Sequence, residues 1–205
     1  MLKKESSNET KFKLGGRFVF FATNNINKFN EARAILTKYN ISVAMLRVKN
    51  SELQNDSLKE IAQTSALEIF KKYNLPILLE DSGLFIDVLN GFPGPYAAYV
   101  YKTIGNSGIL TLMEKKTNRT ATFKTAIVYC NSKNNFKCFE GEIIGEITNK
   151  KIIDPSISGF GFDPIFQPTG SPKVFAAMSI AEKNLFSHRA RAMHSFAIWY
   201  KQHSK

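Results

Sequence analysis

Residues 76–96, PILLEDSGLFIDVLNGFPGPY, set Glu80, Asp81 and Ser82 side by side between two apolar runs. Runs of this kind fill buried strands. Adjacent carboxylates inside such a strand are costly, because an unpaired buried charge forfeits its hydration. A bound cation is the simplest compensation. Successive side chains of a strand point to opposite faces, so Glu80 and Asp81 cannot both line one pocket from regular backbone. One faces a site. The other needs a hydrogen-bonding partner or a local bend, which Gly83 would permit. The plainer alternative is an acidic strand end facing solvent.

A second group of candidates lies upstream. RFVFFAT (17–23) reads as a first, buried strand, followed by the polar turn Asn24-Asn25-Ile26-Asn27. A helical pattern then begins at Lys28, with Phe29, Ala32, Ile35 and Leu36 on one face. Strand, tight polar loop and helix together expose backbone N–H groups and the positive helix end, a setting that receives phosphate. Lys28 adds a cation on the first turn. The glycines and Lys-Ser/Thr pair of a Walker loop are missing, and many such turns use Asn only to cap the helix. Residues 41–49 read as a second strand. In the loop after it Glu52 stands at a strand's carboxyl end, where ligands collect in open α/β sheets.

The third group is GFGFDPIFQP (159–168) and the stretch that follows it. Phe160, Phe162 and Phe166 interleave with Gly161 and Asp163-Pro164, so the loop could present a flat face to a nucleobase or tuck its rings into the core. Ser179 and Glu182 form a capping box, Lys183 follows, and Ser187 fits the cap of a last helix carrying Ala192, Phe196 and Trp199 inward. That leaves His188 and Arg189 at a helix N-terminus, where cations oppose the dipole. Helix stability does not explain their placement, which favours a binding role, although a lone His is more often structural.

The elements that must position these groups alternate strand and helix. A helix capped by Ser57, with Glu60 as its box partner, turns Leu58, Ile61, Ala62, Ser65, Ala66 and Ile69 inward. Short helices are expected near 98–101 and 106–115, and ATFKTAIVYC (121–130) alternates as a strand whose hairpin partner is 136–147. The 205 residues suffice for one domain with a substantial core, expected over 17–205 behind a flexible tail at 1–16. The apolar runs are too short for a membrane helix and the polar N-terminus is no secretory signal, so a cytoplasmic location with no membrane partner is expected. Cys130 and Cys138 define neither a disulfide framework nor a metal spacing. The net charge of +11 suits an anionic small molecule or nucleic acid, but the lysines are scattered and no RNA-binding signature is present, so no nucleic-acid partner is expected.

The motifs FATNNINK, SELQ, LLEDSGLFIDVLNGFPGPYAAYV, GFGFDPIF and EKNLFSHRARA, in this order over residues 17–200, resemble the inosine triphosphate pyrophosphatase family. The resemblance implies an elongated, two-lobed α/β fold with a long mixed twisted sheet flanked by helices and a cleft between the lobes. It implies Mg²⁺-dependent hydrolysis of non-standard purine nucleoside triphosphates to monophosphate and pyrophosphate, by a homodimer. It further implies that Thr23, Asn24, Asn25 and Lys28 hold the triphosphate. Glu52 and Asp81 would bind the metal, Asp81 would also act as general base, Glu80 would support it, and Ser82 would touch substrate. Phe160, Gly161, Phe162 and Asp163 would form the base pocket, Lys183 would reach phosphate, and His188 and Arg189 would read the purine edge.

Four positions depart from the family pattern. Asn24 stands where glycine is commonest, so the loop must accept a side chain, and Asn tolerates left-handed backbone better than most residues. Leu67 replaces a phosphate-directed lysine, and Val174 and Ala177 replace Thr and Glu. Two other readings stay open: a Maf-like sister enzyme acting on modified pyrimidine triphosphates, and a basic nucleic-acid-binding module with an inactive pocket. GFGFDPIF and SHR argue against the first. The set Glu52, Asp81 and Lys28 argues against the second.

Overall fold

In a computed structural model, which describes residues 16–48, 55–133, 135–154 and 159–204, the chain builds one mixed sheet with helices on both faces. The strands are β1 (Arg17–Ala22), β2 (Ile41–Leu46), β3 (Ile77–Ile86), β4 (Pro93–Gly94), β5 (Thr120–Ser132), β6 (Asn135–Ile147) and β7 (Phe166–Pro168). The helices are α1 (Ile26–Lys38), α2 (Leu58–Tyr73), α3 (Ala97–Thr103), α4 (Gly105–Leu112), α5 (Ile180–Phe186) and α6 (His188–His203). The order across the sheet is β2-β1-β3-β5-β6-β7, with β4 added to β3. Strand β1 runs parallel to β2 and β3, and the remaining pairs are antiparallel. The helical connections between β1, β2 and β3 make parallel pairing possible, whereas the tight β5–β6 turn enforces antiparallel pairing.

One detail of register creates the cleft. Strand β3 pairs with β1 only through Ile77, Leu78 and Leu79, and with β4 only at Leu84 and Phe85. Between them, residues 80–83 have β5 on one edge but neither β1 nor β4 on the other. The acidic stretch therefore lies just beyond the carboxyl end of β1, where a parallel sheet leaves room for a ligand.

Packing follows the alternation of the strands. Val19, Phe21, Leu78, Ile127 and Tyr129 meet Ile35 and Leu36 of α1 and Phe196 of α6 on one face. Ala22, Ile77, Leu79, Ala126, Val128 and Cys130 meet Ala62, Ala66 and Ile69 of α2 on the other. A separate core of Leu84, Ile86, Ile109, Phe123, Phe166 and Phe175 fills the second lobe. Strand β5 is thus buried on both faces over Thr125–Cys130, which erases the simple alternation expected of it. The two cysteines are free.

Three local expectations need correction. Gly83 makes no bend, since β3 pairs with β5 in unbroken register from Ile77 to Ile86. It is needed instead because a Cβ there would lie 2.4 Å from the Gly94 carbonyl oxygen, so only glycine lets the GFPGP turn close on β3. At α2, Ser57 caps the helix, but the return bond of the capping box is not formed. Asn55 accepts from the Ser57 N–H at 2.8 Å and donates to Glu60 at 2.8 Å. Asn24 lies outside the left-handed region, and its side chain donates to the Val48 carbonyl at 2.7 Å. The box at Ser179 and the cap at Ser187 behave as read: Ser179 and Glu182 cap each other, and Ser187 caps α6.

Strand β6 seats the start of α6 at Gly141. A Cβ there would fall 2.2 Å from the His188 carbonyl oxygen and 2.8 Å from the Ala192 nitrogen, both backbone atoms. Gly141→Ala is expected to cost about 1–3 kcal/mol, read as a lower midpoint of urea unfolding. Unchanged stability would contradict this close seating of α6.

Candidate active site

The β1–α1 loop forms one wall of the cleft. The Asn25 N–H donates to Thr23 Oγ1 at 3.1 Å, and Asn25 Oδ1 accepts from the N–H groups of Asn27 at 2.9 Å and Lys28 at 3.2 Å. Asn25 is therefore the N-cap of α1, so its oxygen already occupies two of the N–H groups that could have faced a phosphate. Lys28 projects from the first turn and donates to Ser82 Oγ at 3.0 Å, with Glu80 Oε1 at 3.5 Å. Its side chain keeps 20% exposure beside the Glu80 side chain, which is closed to solvent.

Glu80 and Asp81 lie on opposite faces of β3 and differ sharply. The Glu80 side chain is fully buried. Arg189 donates to it through Nε at 2.6 Å and Nη2 at 2.8 Å, and Thr125 Oγ1 donates at 3.2 Å. Burial opposes its ionisation, but Arg189 and Lys28 more than offset this and hold the carboxyl well below the usual range. Asp81 has no such partner, and its Oδ2 is buried without a hydrogen bond. Burial, reinforced by the Glu80 charge and only partly countered by Lys28, raises its pKa to about 6.

From Glu80 a chain of buried charges runs into the second half of the cleft. Arg189, 2% exposed, also donates through Nη1 to Glu31 of α1. Glu31 accepts from Lys183 at 2.8 Å, and Lys183 donates to Asp163 at 2.7 Å. Three cations and three carboxylates thus alternate from Lys28 to Asp163. Desolvated charges persist only when matched in this way. The opposition of Arg189 to the α6 dipole is resolved by two carboxylates. His188 carries no charge there, because burial and then the adjacent Arg189 hold it well below the usual imidazole range. Its ring stacks on Phe123, centroids 4.8 Å apart and planes 8° apart, and its Nδ1 has no partner.

The aromatic loop closes this end. The Phe160 N–H donates to Asp163 at 3.1 Å, and Lys183 Nζ and Arg189 Cζ lie 4.5 and 5.6 Å from the Phe160 ring centre. Gly161 has φ +58°, and its carbonyl accepts from Asn106 of α4 at 3.2 Å. Phe162 is 3% exposed within the second-lobe core. The resulting cleft, about 390 Å³, is lined by Asn25, Lys28 and Ser82 at one end and by Phe160–Asp163, Lys183, His188 and Arg189 at the other, with Ala97, Ala98, Tyr101 and Lys102 of α3 along its side.

Most sequence candidates therefore meet in one place, with qualifications. Asp81 does not line this cavity but the opposite face of β3, the face Leu79 shares with α2. Glu52 lies outside the described residues. Lys183 is held between two carboxylates at the aromatic end, so a reach to phosphate would break two short ion pairs. Leu67 is half-buried on α2, and Val174 is buried beside the Phe175–Ala177 turn. Sequence reasoning missed Glu31, Thr125, Tyr101 and Asn106. Glu31 carried a signal, a charged residue three after Lys28 on the apolar stripe of α1, whereas the other three look like ordinary strand and helix residues.

Removing Arg189 while keeping its bulk apolar (Arg189→Met) leaves Glu80 and Glu31 buried and unmatched. The expected cost is about 3–5 kcal/mol by urea unfolding, far above that of a surface arginine. A cost below about 1 kcal/mol would mean that these ion pairs do not form.

The comparisons accord with this geometry. Residues 19–199 match the Ham1 family. The dITP/XTP pyrophosphatase of Methanopyrus kandleri is 47% identical over 183 residues, covering 89% of this chain and 96% of its own. That of Thermococcus kodakarensis is 43% identical, covering 90% and 98%. The solved Ham1 protein of Staphylococcus aureus superposes with a TM-score of 0.76 at 26% identity, over 91% of this chain and 99% of its own. The Coxiella burnetii HAM1 protein shares the fold with a TM-score of 0.77. The chain spans nearly the full length of these relatives, and it belongs to the Ham1 family.

Proposed function

We propose that the chain is a nucleoside-triphosphate pyrophosphatase that hydrolyses non-standard purine nucleotides, inosine and xanthosine triphosphates and their deoxy forms, to the monophosphate and pyrophosphate. The observation that carries this reading is the interrupted edge of β3. It leaves Lys28 and Ser82 beyond the carboxyl end of β1, at one end of a cleft whose other end is aromatic and internally charge-matched, with Glu80 buried behind them and Asp81 on the opposite face of the same open edge. The two ends suit the two ends of a nucleotide. The names of the relatives point the same way.

In this reading the triphosphate lies along Thr23, Asn24, Asn25 and Lys28, with Ser82 beside it. Lys28 answers the charge of the leaving pyrophosphate. Asp81, across the open edge of β3, takes the proton of the water that attacks the α-phosphorus. The phosphoanhydride bond then breaks and pyrophosphate departs. Glu80, held ionised by Arg189, fixes Lys28 and is not itself a base. The buried, unpartnered oxygen of Asp81 fits a cation, and Asp81 with Glu52 would hold Mg²⁺, which supplies further neutralisation of the triphosphate when bound. The base lies against Phe160 and Gly161. Its edge meets the neutral His188 ring and the N–H groups that Arg189 does not spend on carboxylates. A 6-keto purine accepts there, whereas the amino group of adenine would leave buried donors unmatched. Lys183 keeps Asp163 and Glu31 matched beneath the ring. The homodimer, the cytoplasmic location and the organisation of residues 17–205 as one domain are part of the same proposal.

The direct test is pyrophosphate release from inosine, xanthosine, adenosine and modified pyrimidine triphosphates, with Mg²⁺ and with chelator. Release from the first two, abolished by chelator, is expected. Preferential release from the pyrimidines would turn the reading to the Maf-like alternative.

Asp81→Asn separates chemistry from folding. Turnover should fall by at least about 10²-fold. Stability should move the other way. The folded-state pKa of Asp81 is raised from 3.8 to about 6, so its neutral form is favoured by folding and the wild type loses stability as pH rises through that interval. The metal-free variant should match the wild type below pH 4 and exceed it by on the order of 1–3 kcal/mol above pH 7, measured by urea unfolding. Near-normal turnover by the folded variant would remove Asp81 from its role.

A further inference from the structure

Besides Phe123 and His188, whose rings are stacked on each other, three aromatic rings line the cleft, and they are not equivalent. Phe162 is 3% exposed and packs in the second-lobe core, so little of its ring is offered to a ligand. Phe160 already carries the Lys183 ammonium at 4.5 Å and the Arg189 guanidinium at 5.6 Å from its ring centre, cations that are themselves locked by carboxylates. The third ring is Tyr101 of α3. It lines the same cavity, is 43% exposed, and meets Phe162 edge to face, with centroids 5.6 Å apart and planes at 86°. An edge-to-face contact covers at most one face of the Tyr101 ring. Its neighbours on the cleft side of α3 are Ala97 and Ala98, whose small side chains leave room for a flat ligand.

We infer that Tyr101 is a nucleobase-contacting residue, the ring on which the purine stacks from the α3 side of the cleft. The buried Phe162 then acts as the support that fixes Tyr101, rather than as a stacking platform itself. Lys102, next in the chain, also lines the cavity. This inference rests on the nucleotide reading of the cleft and deepens it. The base site is built across two elements, the 159–163 loop and α3, and depends on both being in place. Asn106 of α4, the helix that follows α3, ties the loop to that helix through its bond to the Gly161 carbonyl.

The test is calorimetric titration of the wild-type protein and Tyr101→Leu with inosine 5′-monophosphate and, separately, with inorganic tripolyphosphate. Leucine keeps apolar bulk against Phe162 but has no aromatic face. The variant should bind the monophosphate about tenfold more weakly, the scale of one lost stacked base, and tripolyphosphate within about twofold of wild type. Unchanged monophosphate affinity would overturn the inference, as would equal weakening toward both ligands. Should Tyr101→Leu fail to fold, Tyr101→Trp decides, because the larger ring must bind the monophosphate at least as tightly as tyrosine does, and weaker binding contradicts a stacking role. If wild-type protein binds tripolyphosphate but no purine nucleotide, the reading of the cleft fails, and this inference with it.

Discussion

The guanidinium of Arg189 is the point on which the site depends. It is 2% exposed, chelated by Glu80 and bonded to Glu31, and it joins α6 to β3 and α1 in one contact set. A buried cation without partners would be untenable, and so would either carboxylate. Through Glu31 the same set reaches Lys183 and Asp163, which hold the aromatic loop. Through Glu80 it reaches Lys28 and so the β1–α1 turn. Alternating charges thus join the β1–α1 turn to the aromatic loop, while Phe123 and Phe162 carry the second-lobe core up to the cleft.

That arrangement gives two neighbouring carboxylates different environments. Glu80 faces the cations and is held ionised, while Asp81, one residue on and on the other face of β3, is desolvated with an unpartnered oxygen and its pKa is raised to about 6. Environment and not residue type separates the two carboxyls. The pattern also explains how a chain of net charge +11 can carry so tightly balanced an interior. The buried cations of the cleft are each matched by a carboxylate.

Much of this was legible in the sequence, for physical reasons. Strand β1, the apolar face of α1 and the caps at Ser57, Ser179 and Ser187 follow from local periodicity and short-range hydrogen bonding. The opposite faces of Glu80 and Asp81 follow from strand geometry alone. Partnerships across long sequence separations did not follow. The Arg189–Glu31 pair spans 158 positions and the Asn106–Gly161 bond 55, and nothing in local pattern encodes either. The purpose of Gly83 was misread for the same reason, since the atom it makes room for belongs to Gly94 in the turn that closes on β3. Arg189 was expected to point its donors at a ligand, and the structure commits most of them to carboxylates instead.

A crystal structure of the protein with an inosine nucleotide and a divalent cation would test the account most directly. The account predicts the base between the Phe160 loop and α3, the phosphates along the β1–α1 turn toward Lys28, a cation at Asp81, and Arg189 still bound to both Glu80 and Glu31. A base lodged at Lys28, or an Arg189 side chain swung free of its carboxylates to grip the ligand, would contradict it.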